Sequence, residues 1–186
     1  ITNHSTGKMG RAIAENCMLR GAHVTLVNAS VSVEPPMFVD VVNVTSAADM
    51  AEVVKSKASE QDIIIMTAAV ADFCPAHQAD EKIKKKDSLD EPVIELERTE
   101  DILSYLGAHK AKGQLICGFS METQNMLENS KAKLAKKNAD MIVANNLKVA
   151  GAGFGTDTNV VTLITADDCT ELEIMDKSCV AAKIMD

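Results

Sequence analysis

The chain's 186 residues, 46% apolar and 25% charged, have a globular balance that excludes disorder and predicts one compact domain over 1–186, burying roughly 70% of its unfolded surface. No run approaches the roughly 18 apolar residues of a membrane span, and 19 Lys and Arg against 27 Asp and Glu, a net charge of −8, argue against a sequence-blind grip on nucleic acid. Cys17, Cys74, Cys117, Cys169 and Cys179 are odd in number and widely spaced, with no CxxC pair and no secretory signal ahead of them; this favours reduced thiols in a cytoplasmic protein and disfavours a zinc site.

The chain opens at Ile1 without an initiator Met and runs through Asn3-His-Ser-Thr-Gly-Lys-Met-Gly10 straight into a helical pattern. Ile13, Cys17 and Leu19 form the apolar stripe of a helix over about 7–20, which Gly21 ends. His23–Val27 and Val39–Val44 read as strands, joined by a connection around Pro35-Pro36. Ser46 caps a helix over Ala47–Ser59, with Asp49 near its positive end. Asp62–Met66 is a continuous apolar run, the mark of a strand covered on both faces in a parallel sheet.

Val93–Leu96 is a brief strand, and Asp101–Leu106 a short helix before Gly107. Then come a strand at Leu115–Gly118, a helix at Asn125–Asn138, strands at Met141–Ala144 and Val160–Thr165, and a closing helix at Lys177–Met185. Such alternation predicts a three-layer α/β domain with a mainly parallel sheet. Ligands of such folds sit at the carboxyl ends of the strands, which directs attention to 67–86, 118–123 and 145–159.

Ser5, Thr6, Gly7 and Gly10 stand at a helix start, where unpaired N–H groups and the helix dipole favour a phosphate; the same residues also make an ordinary cap. Thr67-Ala-Ala-Val-Ala-Asp72-Phe73 follows a buried strand directly. Asp72 there can orient a polar substrate group, help hold a divalent ion, or cap the next turn. Lys82, Lys84, Lys85 and Lys86 put four ammonium groups within five residues of an acidic chain, which suits a polyphosphate as well as a solvated surface. Lys133 and Lys137 share a helix face and could reach one phosphate, or could simply stabilise the helix C-terminus. Phe119 could stack on a base or belong to the core. Gly151–Asn159, with Phe154 and Asp157, has the composition of a loop that covers a ligand, or of a plain surface loop before the Val160 strand.

Together these segments resemble phosphopantothenate–cysteine ligases, specifically the bacterial CTP-dependent form. The resemblance runs the length of the chain and rests on Asn3–Gly10, Ala68-Ala-Val-Ala-Asp72-Phe73, Lys82-Ile-Lys-Lys85, Gly118-Phe119-x-x-Glu122-Thr123 and Gly153-Phe154-x-x-Asp157-x-Asn159. It implies a Rossmann-like subunit that dimerises and works in coenzyme A biosynthesis. The carboxylate of 4′-phosphopantothenate would attack the α-phosphorus of CTP, expelling pyrophosphate. The amine of L-cysteine would then attack the acyl-cytidylate and release CMP, with Mg2+ accompanying the triphosphate.

The resemblance assigns Ser5, Gly7, Gly10, Met66, Thr67, Ala68, Asp72, Lys82, Glu100, Asp101, Ile102, Leu103, Phe119, Lys133 and Lys137 to the nucleotide. It assigns Asn3, Ala68, Ala69 and Asp72 to phosphopantothenate and the acyl-cytidylate. Asn3 would stabilise the reacting carbonyl in the second step. Lys82 would offset charge on the triphosphate in the first, supported by Lys84 and Lys85. It also implies a strand, a Gly-rich turn and an Arg ahead of Asn3, which this sequence does not contain; that strand would sit at the centre of the sheet.

Two other functions compete. A nicotinamide-dependent reductase is opposed by Asn28-Ala-Ser30, where a ribose-binding acid would follow the strand, and by His109 rather than Lys four residues after Tyr105. A non-catalytic nucleotide-binding protein would bind CTP without turnover.

Overall fold

A computed structural model of the chain describes residues 5–29, 32–77, 81, 93–122, 126–146 and 155–186. In chain order the elements are α1 (Lys8–Leu19), β1 (Thr25–Asn28), β2 (Asp40–Asn43), α2 (Ala47–Lys57), a 3-10 turn (Ala58–Glu60), β3 (Ile63–Met66), β4 (Phe73–Pro75) and β5 (Leu96–Arg98). They continue with α3 (Ile102–Ala108), β6 (Leu115–Glu122), α4 (Met126–Lys136), β7 (Met141–Asn146), β8 (Thr158–Asn159), β9 (Val161–Ile164), β10 (Cys169–Glu171), β11 (Met175–Asp176) and α5 (Lys177–Met185).

Local chemistry sets the helix ends. Gly7, at φ 78°, and Gly21, at φ 86°, bracket α1 in the left-handed conformation that costs a glycine little. α2 starts with a capping box: the Asp49 N–H donates to Ser46 Oγ at 3.0 Å and the Ser46 N–H to Asp49 Oδ2 at 2.9 Å. α3 starts at Asp101, whose carboxylate accepts the Ser104 N–H at 2.9 Å.

The main sheet has the order β10-β9-β7-β6-β3, with β3, β6 and β7 parallel and β9 and β10 antiparallel. β1 and β2 form a separate parallel pair. Ile142, Val143 and Ala144 of β7 are fully buried, so both faces of this strand are covered, at about 1.5–3 kcal/mol for each large side chain. On one face Ile13, Val180 and Ile184 of α1 and α5 pack with Cys117 and Val143. On the other, Met50, Val54, Ile102 and Leu106 of α2 and α3 pack with Ile116. α4 lies on that second face, where Ser130 meets Ser120 Oγ to Oγ at 3.1 Å. Three α/β layers with a mainly parallel sheet result.

Between β1 and β3 lies a slot of about 540 Å³, lined by Leu26 and Val27 on one side, Ile64 and Ile65 on the other, and Ile13 and Val54 from the helices above and below. β3 therefore has a single hydrogen-bonded neighbour among the described residues, and Ile63 is 45% exposed. Both faces of β3 are packed, Ile65 on the α1–α5 side and Ile64 and Met66 on the α2–α3 side, as the continuous apolar run predicts, but one of its edges faces the slot.

Other differences are local. The strand expected at Val93–Leu96 forms instead at Leu96–Arg98, because it pairs antiparallel with Phe73–Pro75, and Phe73 stands opposite Arg98. Gly107 lies inside α3 rather than after it. All five cysteines are free, and burial, with the Asp140 carboxylate nearby, pushes the Cys117 thiol up to about 12.

Candidate active site

β3 ends at Met66, paired to Gly118 in the middle of β6, so the segment beginning at Thr67 leaves the sheet beside Phe119, while β6 continues to Glu122 along β7. α1 approaches from the first face. Its N-cap position is Gly7, which has no side chain to satisfy the first-turn N–H groups; Ser5 and Thr6 precede it, both half-buried. A Cβ on Gly10 would stand 2.9 Å from Thr67 Oγ1, so only a residue without one lets the helix start come this close to the strand end. Gly7, Gly10, Met66, Thr67 and Ala68 are thereby gathered in one place.

Beyond them, Ala68 and Asp72 are exposed and Ala69 is half-buried. The Thr99 N–H donates to Asp72 O at 3.0 Å, and Thr99 Oγ1 donates to Ala71 O at 2.5 Å. These bonds tie the 71–72 backbone to the chain entering Glu100.

Glu100, Asp101, Ile102 and Leu103 form the start of α3, and three contacts hold them. Lys55 Nζ donates to both Glu100 carboxylate oxygens, at 2.9 and 3.0 Å, and lies 4.8 Å from the centre of the Tyr105 ring. Lys137 bonds the Asp101 carboxylate and donates to Ser104 Oγ at 2.7 Å. Leu103 packs where a Cβ on Gly118 would come within 2.7 Å of its Cδ2. Burial pushes the Asp101 carboxyl up, but the hydrogen bonds from Lys137 and Ser104 outweigh it and hold the group below the usual carboxylate range. The hydrogen bond to Glu100 is the main cause raising Lys55 above an ordinary lysine.

Lys133 and Lys137, one helical turn apart, take different partners. Lys133 Nζ donates to Phe119 O at 3.1 Å, whereas Lys137 lies one residue past α4 and turns toward α3. Phe119 is half-buried and packs with Met9 and Ala12 against the first core cluster, which favours the core alternative for its ring. Asn28 at the end of β1 donates to Asn43 Oδ1 at 3.2 Å, so an amide stands where a dinucleotide fold needs a ribose-binding acid.

Asn3, Lys82, Lys84, Lys85 and Phe154 lie outside the described residues. Lys55, Lys8 and Lys177 were not singled out from sequence, since nothing in residue type or spacing distinguishes them from solvated lysines. Among the described residues no group of three or more His, Cys, Asp or Glu gathers as a metal cage. Mg2+ needs none, being held through one or two carboxylates and the substrate phosphates, a demand that the exposed Asp72 fits. Among the described residues no helix is long and apolar enough to cross a membrane.

Comparison with known proteins places this geometry. Residues 1–186 match the family described as DNA/pantothenate metabolism flavoprotein C-terminal domain. The coenzyme A biosynthesis bifunctional protein CoaBC of Bacillus subtilis (strain 168) is 48% identical over the whole chain, which spans 45% of that protein. A prokaryotic protein named cysteine/cysteine sulfinic acid decarboxylase is 44% identical, and the chain spans 52% of it. The chain thus covers about half the length of these relatives. The crystal structure of the C-terminal domain of a CoaBC protein superposes with a TM-score of 0.83 at 42% identity, covering 100% of this chain and 82% of that one.

Proposed function

Because the chain belongs to the DNA/pantothenate metabolism flavoprotein C-terminal domain family, we propose that it joins 4′-phosphopantothenate to L-cysteine at the expense of CTP, as a cytoplasmic step of coenzyme A biosynthesis. The observation that carries this is the α1 helix start, left without a side-chain cap at Gly7 and drawn against Thr67 at the end of β3. Such a start supplies oriented N–H donors and a positive dipole end for phosphates, beside a run of small residues, Ala68 and Ala69, that leaves room for an acyl chain.

In the first step the substrate carboxylate attacks the α-phosphorus of CTP, a mixed anhydride forms and pyrophosphate departs. The first-turn amides of α1 hold the phosphates in line, and Lys82 neutralises charge building on the leaving group. Asp72, together with the substrate phosphates, would hold Mg2+, which would supply further neutralisation of the triphosphate. In the second step the cysteine amine attacks the activated carbonyl, Asn3 stabilises its oxyanion, and CMP leaves. The α3 start, fixed by Lys55 and Lys137, offers its backbone to the nucleoside.

Two structural proposals accompany this reaction. The slot between β1 and β3 would seat the further strand that the family resemblance implies, which would pair with both free edges and join the β1–β2 pair to the main sheet. The β4–β5 ribbon, with Phe73 and Leu96 exposed at 41% and 44%, is the face for a second copy in a homodimer.

The test is pyrophosphate release by the intact gene product, with CTP and ATP compared and phosphopantothenate present or absent. Release that depends on phosphopantothenate and prefers CTP is expected. Lys82→Gln should block it, and Asn3→Asp should let the acyl-cytidylate accumulate. Full activity in Lys82→Gln, or release indifferent to phosphopantothenate, would overturn the assignment.

A further inference from the structure

The start of α1 has a second set of neighbours outside the reacting groups. α1 and α5 run parallel: Lys8 and Lys177, the first residues of the two helices, meet the same segment 155–157. At the far ends Arg20 bonds Asp186 at 2.7 Å and Cys17 Sγ lies 3.6 Å from Met185 Sδ. Parallel neighbours bring two positive dipole ends together, and a lysine at each start adds to that charge.

Segment 155–157 absorbs it. Lys8 Nζ donates to Asp157 Oδ1 at 2.7 Å and to Gly155 O at 3.2 Å. Lys177 Nζ donates to Thr156 O at 2.5 Å, and the Lys177 N–H donates to Asp157 O at 3.0 Å. Three successive carbonyls and one carboxylate thus take N–H groups from two helix starts. Lys177 is 6% exposed. Burial lowers it below an ordinary lysine, Lys8 adds to that effect, and Asp157 opposes it.

A buried ammonium at a positive helix end, next to a second ammonium, is a poor way to gain stability; an apolar side chain of similar shape is commonly as good or better. The arrangement does something else well. It ties the turn at Gly7–Lys8 to two other elements through bonds of fixed direction, on the side away from Thr67. We propose that Lys8, Asp157 and Lys177 form a positioning cluster that holds the first turn of α1 in the orientation from which its N–H groups meet the nucleotide phosphates. None of the three needs to touch the nucleotide. The inference rests on the nucleotide-binding assignment of that turn.

The experiment pairs steady-state pyrophosphate release by the intact gene product with amide hydrogen exchange of residues 8–11, on Lys8→Met, Asp157→Asn, the double variant, Lys8→Arg and Lys177→Met. Lys8→Met and Asp157→Asn should each raise the KM for nucleotide about fivefold or more while kcat changes less than about twofold. The double variant should be no worse than Lys8→Met alone, because the Asp157 carboxylate acts on the turn through its ion pair with Lys8. Lys8→Arg should stay near the wild type. Lys177→Met should raise KM without lowering the melting temperature, which a merely structural role would not produce. First-turn amides should exchange faster in Asp157→Asn.

Additive effects of Lys8→Met and Asp157→Asn, or unchanged KM and unchanged exchange, would overturn the cluster. Should the wild type release no pyrophosphate from any nucleotide, the parent assignment fails, and the exchange measurement alone then decides whether the cluster orients the turn.

Discussion

Gly10 on α1 and Thr67 at the end of β3 approach so closely that a methyl group on residue 10 would lie 2.9 Å from the threonine hydroxyl. This contact sets how near the uncapped helix start comes to the strand end, and hence the width of the proposed phosphate site. Gly10→Ala should therefore disturb alignment more than folding, since the obstructing atom ends a short side chain that can rotate. An increase of about tenfold in nucleotide KM is expected. Adding Thr67→Ala removes the obstruction and should recover most of it. Unaltered kinetics in Gly10→Ala would show that the spacing has no bearing on nucleotide binding.

Gly107 supports the same site from behind. A Cβ there would stand 1.7 Å from the Lys137 carbonyl oxygen, which is backbone and cannot swing away. Gly107→Ala should destabilise the fold by about 3 kcal/mol, at the upper end of overpacking costs, and separate α3 from the Lys137 contact to Asp101. Gly113→Ala is the comparison: nothing lies near it, but its φ is 84°, so about 1–2 kcal/mol of backbone strain is expected. Urea denaturation of both variants measures the difference, and equal losses would refute the packing account.

Asp49 gives the stability profile a pH dependence of known sign. Side-chain hydrogen bonds from Thr45 and Ser46, followed by their backbone N–H groups, lower its carboxyl from 3.8 to about 2. A carboxyl lowered on folding contributes stability that is fully present above the unfolded value and lost as pH falls through the folded one. Wild type should accordingly exceed Asp49→Asn in stability at pH 6. That gap should close between about pH 4 and pH 2, followed by thermal melts across the acid range. A constant gap down to pH 2 would mean that the capping box is not its source.

Much of the domain could be read along the chain because it is written in local signals. Ser46 with Asp49, the alternation of apolar runs and helical stripes, and the glycines at 7 and 21 each act over a few residues, and each appears where expected. The β4–β5 ladder and the short β8–β11 pair escaped, because their partners are far apart in sequence and only pairing makes three residues a strand. The partners of Lys133 and Lys137 are hidden for a related reason. Helical spacing puts the two one turn apart, where the Lys137 N–H donates to Lys133 O, but the groups that take their ammoniums, Phe119 O and the Asp101 and Ser104 side chains, lie on other elements.

From its sequence alone this protein is an α/β domain with chemistry at the ends of its parallel strands, since propensity, capping and hydrophobic period are properties of neighbouring residues. Tertiary structure alone decided that the β3 edge borders a slot, that Lys55 and Lys137 fix the α3 start, and that Lys8, Asp157 and Lys177 meet. Those relations join residues up to 169 positions apart, and a lysine's partner across such a distance is set by how the helices pack, which no local pattern records.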